Sequence, residues 1–490
     1  MVRGGTAMAK RNVSRLAVIA IFSALAAGAC ATNPVTGKRE LALISESQEI
    51  AMGRDADKEI VAAYGLYPDD RLQQYLQELG SRIAAKTERP ALPWTFRVVD
   101  DAAVNAFALP GGFIYVTRGI MTHLNSEAEL VTILGHEIGH VTARHSVNQM
   151  SKQQLAQIGL VAGMVLSPRV AQFGNLAQTG LGILFLSFSR ADESQSDELA
   201  LKYMTAAGYD PREMVDVFRM LEGVSQQAGG GRLPQWLSSH PNPENREAWA
   251  ARAAASVKSD PSRMAVNREG YLRRVDGMVF GDNPREGFFQ QSTFRHPDLA
   301  FRINFPSGWK GSNQKQAVGA VSPSEDAMIV LQLAGVPSAQ QAARQFFSQE
   351  GVQAGQAWRQ QIGGFPAVSY VFRAQAEQTI VQGLVAWIEY GNRVYQVMGY
   401  TPEQRWGAYD DAIAQSIGSF ARETDRSVLE VQPNRVRLVE VDRPATLETL
   451  VSRYPSAVPP QVLGLINDLQ GNQTLPAGSL FKRVVNTTPR

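Results

Sequence analysis

The chain has 490 residues, 44% apolar and 19% charged, a balance that excludes intrinsic disorder; at roughly 150 residues per domain it is long enough for two to four cores. Its 48 basic and 46 acidic side chains leave a formal net charge of +2, which excludes the basic footprint of a nucleic-acid-binding protein. A single cysteine excludes a disulfide framework.

In chain order, Arg3, Lys10, Arg11 and Arg15 precede the apolar run LAVIAIFSALAAGAC. The run is short for a membrane span and suits a signal peptide over residues 1–29. Its end, AAGAC, resembles a bacterial lipobox, with the departure that Ala27 stands where lipoboxes usually carry Leu. The resemblance implies that Cys30 becomes a lipidated first residue that anchors the protein without a spanning helix. The absence of Asp at residue 31 implies, in a Gram-negative cell, the periplasmic face of the outer membrane. The alternative is a free thiol after a conventional cleavage site.

The stretch from Ala31 passes from a turn-rich tether into helical periodicity near Ser45, and LYPDD is the next strong break. WTFRVVD reads as a strand, NAFALPGG as a Pro/Gly turn and GFIYVTRGI as a second strand. Ser126 followed by Glu129 has the capping-box spacing, and Leu130, Ile133, Leu134, Ile138 and Val141 recur at helical intervals. Between Leu155 and Phe188, two Ala/Gly-rich apolar stretches read as buried helices around a site, with membrane contact as the alternative. SRADESQSDELALKYMTAAGYDP reads as a helix ending at Gly208 and stopped by Pro211. From Arg273 to about Arg426 the texture changes to strands and turns, with GLVAWIEY and RVYQVMGY joined by a tight hairpin at Gly391 and Asn392. The last segment reads strand, helix, helix, strand.

The chemistry concentrates in LGHEIGHVTARH, Leu134 to His145, which holds three of the six histidines. Two histidines at i and i+4 on a helix lie only about 40° apart, so His136 and His140 can reach one ion. Glu137 leans toward the same ion from the side, where a general base belongs. A chance HExxH is expected in about one such chain in 250, so the spacing is informative. His145 lies about 140° around the helix from His140 and cannot join the same shell unless the helix breaks. It reads, with His123 and His296, as structural or surface. A third ligand is required; Glu193 and Asp197 share one helix face, and spacing leaves open which of them ligates and which supports the histidines.

HEIGH, SRADESQSD, AAGYDP, NAFALPGGFIYV and SSHP with Arg246 six residues after His240 together resemble the gluzincin peptidases related to HtpX and the CAAX prenyl protease. The resemblance covers about residues 31 to 260, and CATNPVTGK resembles the soluble BepA-like lipoprotein branch. It implies zinc, one per chain, on His136, His140 and Glu193, with Glu137 as general base and Asp197 supporting from one turn beyond the third ligand. It places His240 and Arg246 close to the metal as catalytic groups; a further hypothesis is that His240 occupies the water position and holds the enzyme latent. It implies a substrate-binding strand through Asn105, Ala106, Phe107 and Gly112, to which a peptide adds as a further strand. The final segment resembles a LysM-type module, with Asn467, Leu475 and Gly478 in place but no Gly-Asp before Thr446.

The expected fold is thus α+β and multidomain. A mainly helical zincin-type peptidase domain with a small sheet spans residues 31–265, an α+β domain of unassigned role 273–426 and a small LysM-like module 430–490. The leading functional reading is a lipid-anchored zinc endopeptidase of the cell envelope acting on unfolded or misassembled envelope proteins, with peptidoglycan as a further partner and no nucleic acid. The competing readings are an envelope chaperone built on a peptidase fold and a wall-tethered binding protein.

Overall fold

The computed structural model describes residues 30–41, 43–152, 188–227, 236, 240, 246–258, 260–376 and 379–486. The signal-like run and the apolar stretches up to residue 187 lie outside these residues. The chain forms two compact units, the first comprising Met1–Val61, Leu66–Asp276 and Leu438–Arg483, the second Ala62–Gly65, Gly277–Arg437 and Val484–Arg490. Both α and β structure are present, and among the described residues no helix is long and apolar enough to cross a membrane.

In the first unit, the stretch expected to be a loose tether is a hairpin. Strand β1 (Cys30–Thr32) pairs antiparallel with β2 (Arg39–Leu41), and Asn33 closes the turn by accepting from the amides of Val35 and Thr36. Helix α1 (Glu46–Tyr64) follows, then α2 (Asp70–Ala84), which begins where Asp69 accepts from Leu72 N and buries Leu72, Leu76, Leu79 and Ile83 at helical spacing. A three-stranded sheet has the order β3 (Thr95–Val99), β5 (Phe113–Thr117), β4 (Ala106–Leu109). Among the described residues strand β4 is therefore an edge of this sheet. The stretch NAFALPGG, read from its residues as a Pro/Gly turn and from the family resemblance as part of a strand, extends over Ala106–Leu109 and turns at Pro110, Gly111 and Gly112, both glycines having positive φ. GFIYVTRGI is strand only to Thr117, whose hydroxyl accepts from Ile120 N and starts the short helix α3 (Arg118–His123).

Helix α4 (Glu127–Thr142) carries HEIGH and is buried along its whole length. Ser126 caps it by accepting from Glu129 N, while the Glu129 carboxylate reaches back one residue further than a capping box requires, to Asn125 N. The two glycines of GHEIGH set the distance to helix α5 (Arg190–Ala206). A Cβ on Gly135 would lie 3.0 Å from Ala200 Cα, and one on Gly139 3.2 Å from Ser196 Cα, so small residues let α4 and α5 approach closely enough for both to line one site. Helix α5 opens with a complete capping box between Ser189 and Asp192. Helices α6 (Glu213–Gln227), α7 (Arg246–Ser256) and α8 (Arg268–Val275) complete this part. The C-terminal segment returns to the same unit through Leu438–Arg483, and Leu465 packs where a Cβ on Gly223 of α6 would stand, 2.5 Å away.

The second unit is built on a seven-stranded antiparallel sheet and a separate four-stranded sheet. Its Thr379–Tyr390 and Arg393–Pro402 strands meet in register at Tyr390 and Arg393, across Gly391 and Asn392, both with positive φ as a type I′ turn requires. Apolar clusters cover both faces of the large sheet, centred on Phe301, Tyr395 and Phe420 on one side and on Val385 and Trp387 on the other. Among the described residues of this unit no group of three His, Cys, Asp or Glu side chains gathers at ligand distance.

Candidate metal centre

Helix α4 delivers His136 and His140 from successive turns, α5 delivers Glu193 and Asp197 from successive turns, and His240 enters from the chain after α6. One ligand atom each from His136, His140, Glu193 and His240 lies within 4.8 Å of all the others, and all four residues are buried. His136 Nε2 is 3.0 Å from His140 Nε2 and 3.3 Å from His240 Nδ1; His240 Nδ1 is 2.9 Å from Glu193 Oε1. The second group of acidic residues in this unit, Glu129, Glu213 and Asp216, contains no histidine.

Each of these side chains has a support. His136 Nδ1–H donates to Asp197 Oδ1 at 2.9 Å, which turns Nε2 into the cluster. Asp197 in turn takes both arms of the Arg246 guanidinium, Nε at 2.8 Å and Nη2 more closely. Arg246 also lies over the Phe218 ring at 4.5 Å. The guanidinium that the sequence placed among the catalytic groups is therefore engaged with Asp197, with Nη2 still 3.9 Å from Glu193 Oε2. Trp236 stacks on His240 at 4.3 Å between ring centres, and Phe188 lies 4.1 Å from His140.

The electrostatics follow from burial set against these partners. Burial alone would lower the His136 pKa, but hydrogen bonds and charge from Asp197 and Glu193 overcome it and hold the imidazole at about 9. His140 has no carboxylate hydrogen bond, and burial with the charge of His136 drives it well below the usual histidine range. Burial raises Glu137, partly countered by His240 and His136. Burial would raise Glu193 and Asp197 also, but the surrounding histidines and, for Asp197, first the charge of Arg246 hold both below the usual carboxylate range.

Several features outside the motif fix the end of the HEIGH helix. Arg89 donates to Val141 O at 2.9 Å and pairs with Glu49; Arg144, at φ +61, donates to the other oxygen of Glu49. Asn33 of the hairpin donates to Ala143 O. Nothing in spacing points to Glu49, Arg89 or Arg144, because their roles arise from contacts 40 to 100 positions away. His145, expected on the surface or in a structural role, is buried with Nδ1 3.0 Å from His140 Nδ1. His123 bonds Gly119 O, and His296 lies in the second unit, its Nδ1 accepting from Leu299 N; neither belongs to the cluster. Asn105 and Ala106 are buried at the start of edge strand β4, Phe107 lies within it, and Gly112 ends the turn behind it.

The donor set tests whether a zinc ion fits. Two imidazoles and a carboxylate are a borderline-soft, tetrahedral combination suited to zinc. Within the same buried space, Glu137 Oε1 and Glu193 Oε2 have no hydrogen-bond partner among the described residues, a costly arrangement unless a cation satisfies them. The residues fit the metal. Two buried histidines on a HExxH helix, a glutamate brought to them by a second helix and the buried glutamate within the motif are the arrangement of a metallopeptidase site. Residues 70–253 match the profile of Peptidase family M48. The chain is 30% identical over 259 residues to the beta-barrel assembly-enhancing protease of Yersinia pestis, which covers 51% of this chain and 52% of that protein. It is 28% identical over 254 residues to the protein of the same name in Escherichia coli, with 50% and 51% covered. It is 35% identical over 189 residues to the mitochondrial metalloendopeptidase OMA1 of Arabidopsis thaliana, with 38% and 37% covered. The chain thus spans about half the length of the assembly-enhancing proteases it matches.

Proposed function

We propose that the chain is a zinc-dependent endopeptidase of the bacterial cell envelope that cleaves unfolded or misassembled envelope proteins. The observation that carries this reading is the buried Glu137 carboxylate, whose Oε1 has no hydrogen-bond partner among the described residues, beside two histidines and Glu193. A binding protein has no need of such a group, and burying it unsatisfied costs stability.

In this reading His136, His140 and Glu193 hold the zinc. Bound there, zinc supplies Lewis-acid activation of water and of the scissile carbonyl. Glu137, its pKa raised by burial, is suited to accept the proton of the attacking water near neutral pH and to return it to the leaving amine. Asp197, clamped by Arg246, keeps His136 oriented. Strand β4, at the edge of its sheet among the described residues, is the strand to which an extended substrate would add along Asn105 through Phe107, with Gly112 shaping the turn behind it. His240 stands 3.6 Å from Glu137 Oε1, in reach of an oxyanion or of the water position. Export, a lipid on Cys30 and an outer-membrane location rest on the signal-like run and its lipobox resemblance. Peptidoglycan as a partner rests on the LysM resemblance of residues 430–490.

The test is zinc stoichiometry together with cleavage of an unfolded protein by the parent and by Glu137→Gln. The expected result is one zinc per chain in both proteins and cleavage by the parent alone. Proteolysis retained by Glu137→Gln would sink the assignment.

A further inference from the structure

We infer that His145 is a positioning residue that fixes the tautomer of His140, so that the second histidine of the motif presents Nε2 to the metal. The inference rests on the proposed role of His140 as a ligand.

Had helix α4 continued, His145 would face away from His140. It does not continue: Arg144 adopts φ +61, a left-handed conformation disfavoured for a residue with a Cβ. Its side chain is held by Glu49 Oε2 at 3.0 Å and Ile44 O at 2.8 Å. The break turns the chain back, and residues 145–152 resume as helix with the His145 ring against His140. The rings meet at their Nδ1 edges with centres 5.0 Å apart and planes crossed at 77°, close enough for an N–H of one to reach the in-plane lone pair of the other.

The direction of that hydrogen bond is determined from outside inward. His145 Nε2 lies 2.9 Å from Gln195 Oε1, and an amide oxygen only accepts. The proton of a neutral His145 is therefore on Nε2, and its Nδ1 carries a lone pair. The 3.0 Å contact between the two Nδ1 atoms is a hydrogen bond only if one nitrogen donates, so His140 Nδ1 is the donor. Ser196 Oγ also lies 3.4 Å from His145 Nδ1, and a hydroxyl can turn to suit. With its proton on Nδ1, His140 turns a lone pair on Nε2 toward His136 Nε2 at 3.0 Å and Glu193 at 3.5 Å. The two motif histidines are thus set by different partners. Asp197 takes the outer N–H of His136, and a neutral imidazole takes that of His140.

The experiment uses the full chain and reads zinc affinity by competition with a chromophoric chelator, alongside the melting temperature of the zinc-free protein. His145→Leu removes the acceptor. His145→Asn keeps one, because its Oδ1 can accept from His140, and Gln195→Leu frees the His145 tautomer. Loss of such an outer partner costs about 10- to 100-fold in metal affinity. The expected order is parent, then His145→Asn, then Gln195→Leu, with His145→Leu weakest, and with zinc-free melting temperatures that do not follow this order. Equal zinc affinity in His145→Leu and the parent overturns the inference, as does equal weakening in the Asn and Leu variants. If His145→Leu does not fold, parent-like affinity in Gln195→Leu overturns it and weakening there supports it. A parent that binds no zinc overturns the ligand reading of His140 itself, an outcome distinct from a parent that binds zinc and variants that bind it equally.

Discussion

Lys482 tests whether the C-terminal segment is part of the unit that carries the metal centre. Its side chain is fully buried, and its ammonium donates to three consecutive carbonyls, Thr122 O at 3.0 Å, His123 O at 3.3 Å and Leu124 O at 2.7 Å. These are the last carbonyls of α3, two residues before the cap of the HEIGH helix, where a positive charge also opposes the helix dipole. Lys482→Met keeps the length and removes the donors. Three charge-assisted bonds are worth about 5 to 9 kcal/mol gross at about 1.5 to 3 each. Burial of the ammonium offsets several kcal/mol of this, and it already pushes the Lys482 pKa down to about 7 against the pull of Glu129. What remains after substitution is a set of buried carbonyls without a donor, for a net loss of about 3 kcal/mol. In a unit of this size that is a fall of about 4 to 5 °C in melting temperature. Calorimetry should place the fall in the transition that zinc stabilises. A shift below about 2 °C, or one confined to a transition that zinc leaves unmoved, refutes the reasoning.

Zinc affinity should fall on acidification. His136 is held at about 9, so below that pH a proton must leave before the metal enters, and each unit of acidification costs about tenfold; chelator competition at about pH 8 and about pH 6 that gave equal affinities would contradict this. His240→Ala should raise proteolysis while zinc stays bound, because His240 Nδ1 stands among the ligand atoms and catalysis needs an open position; an unfolded-protein cleavage assay showing parent-level activity or less counts against latency. Gly53→Ala should destabilise by about 1 to 3 kcal/mol in urea unfolding, since its Cβ would stand 2.0 Å from Pro110 O and 2.8 Å from Phe113 Cδ2, backbone and ring that fix the turn behind β4.

What could be read without the structure was whatever depends on local periodicity. The HEIGH helix, its Ser126 start, the SRADESQSD helix and the Gly391-Asn392 hairpin all carry their signals within a few residues. The three-residue strands around Asn33 are too short to show alternation, and their pairing is held by a turn and by Ala143, 110 positions away. Strand β4 was masked by the Pro-Gly-Gly that follows it, because turn chemistry outweighs four residues of strand pattern. At the site, spacing put Glu193 and Asp197 on one face but could not rank them; the structure brings Glu193 beside three histidines and turns Asp197 to His136 Nδ1 and Arg246.

His145 shows where a periodicity argument stops. The helical angle from His140 was sound as far as the helix ran, and His145 is absent from the cluster of ligand atoms. The angle misplaced the ring only because the helix ends at Ala143 and Arg144 turns left-handed. That break is imposed from outside the motif, by Glu49 and Ile44 gripping Arg144 and by Arg89 taking the Val141 carbonyl. A helix broken by tertiary contacts leaves no glycine or proline in the sequence to announce it. Removing the Arg144–Glu49 grip should therefore affect the metal centre through His145 and not through His136, whose partner Asp197 sits on a different helix.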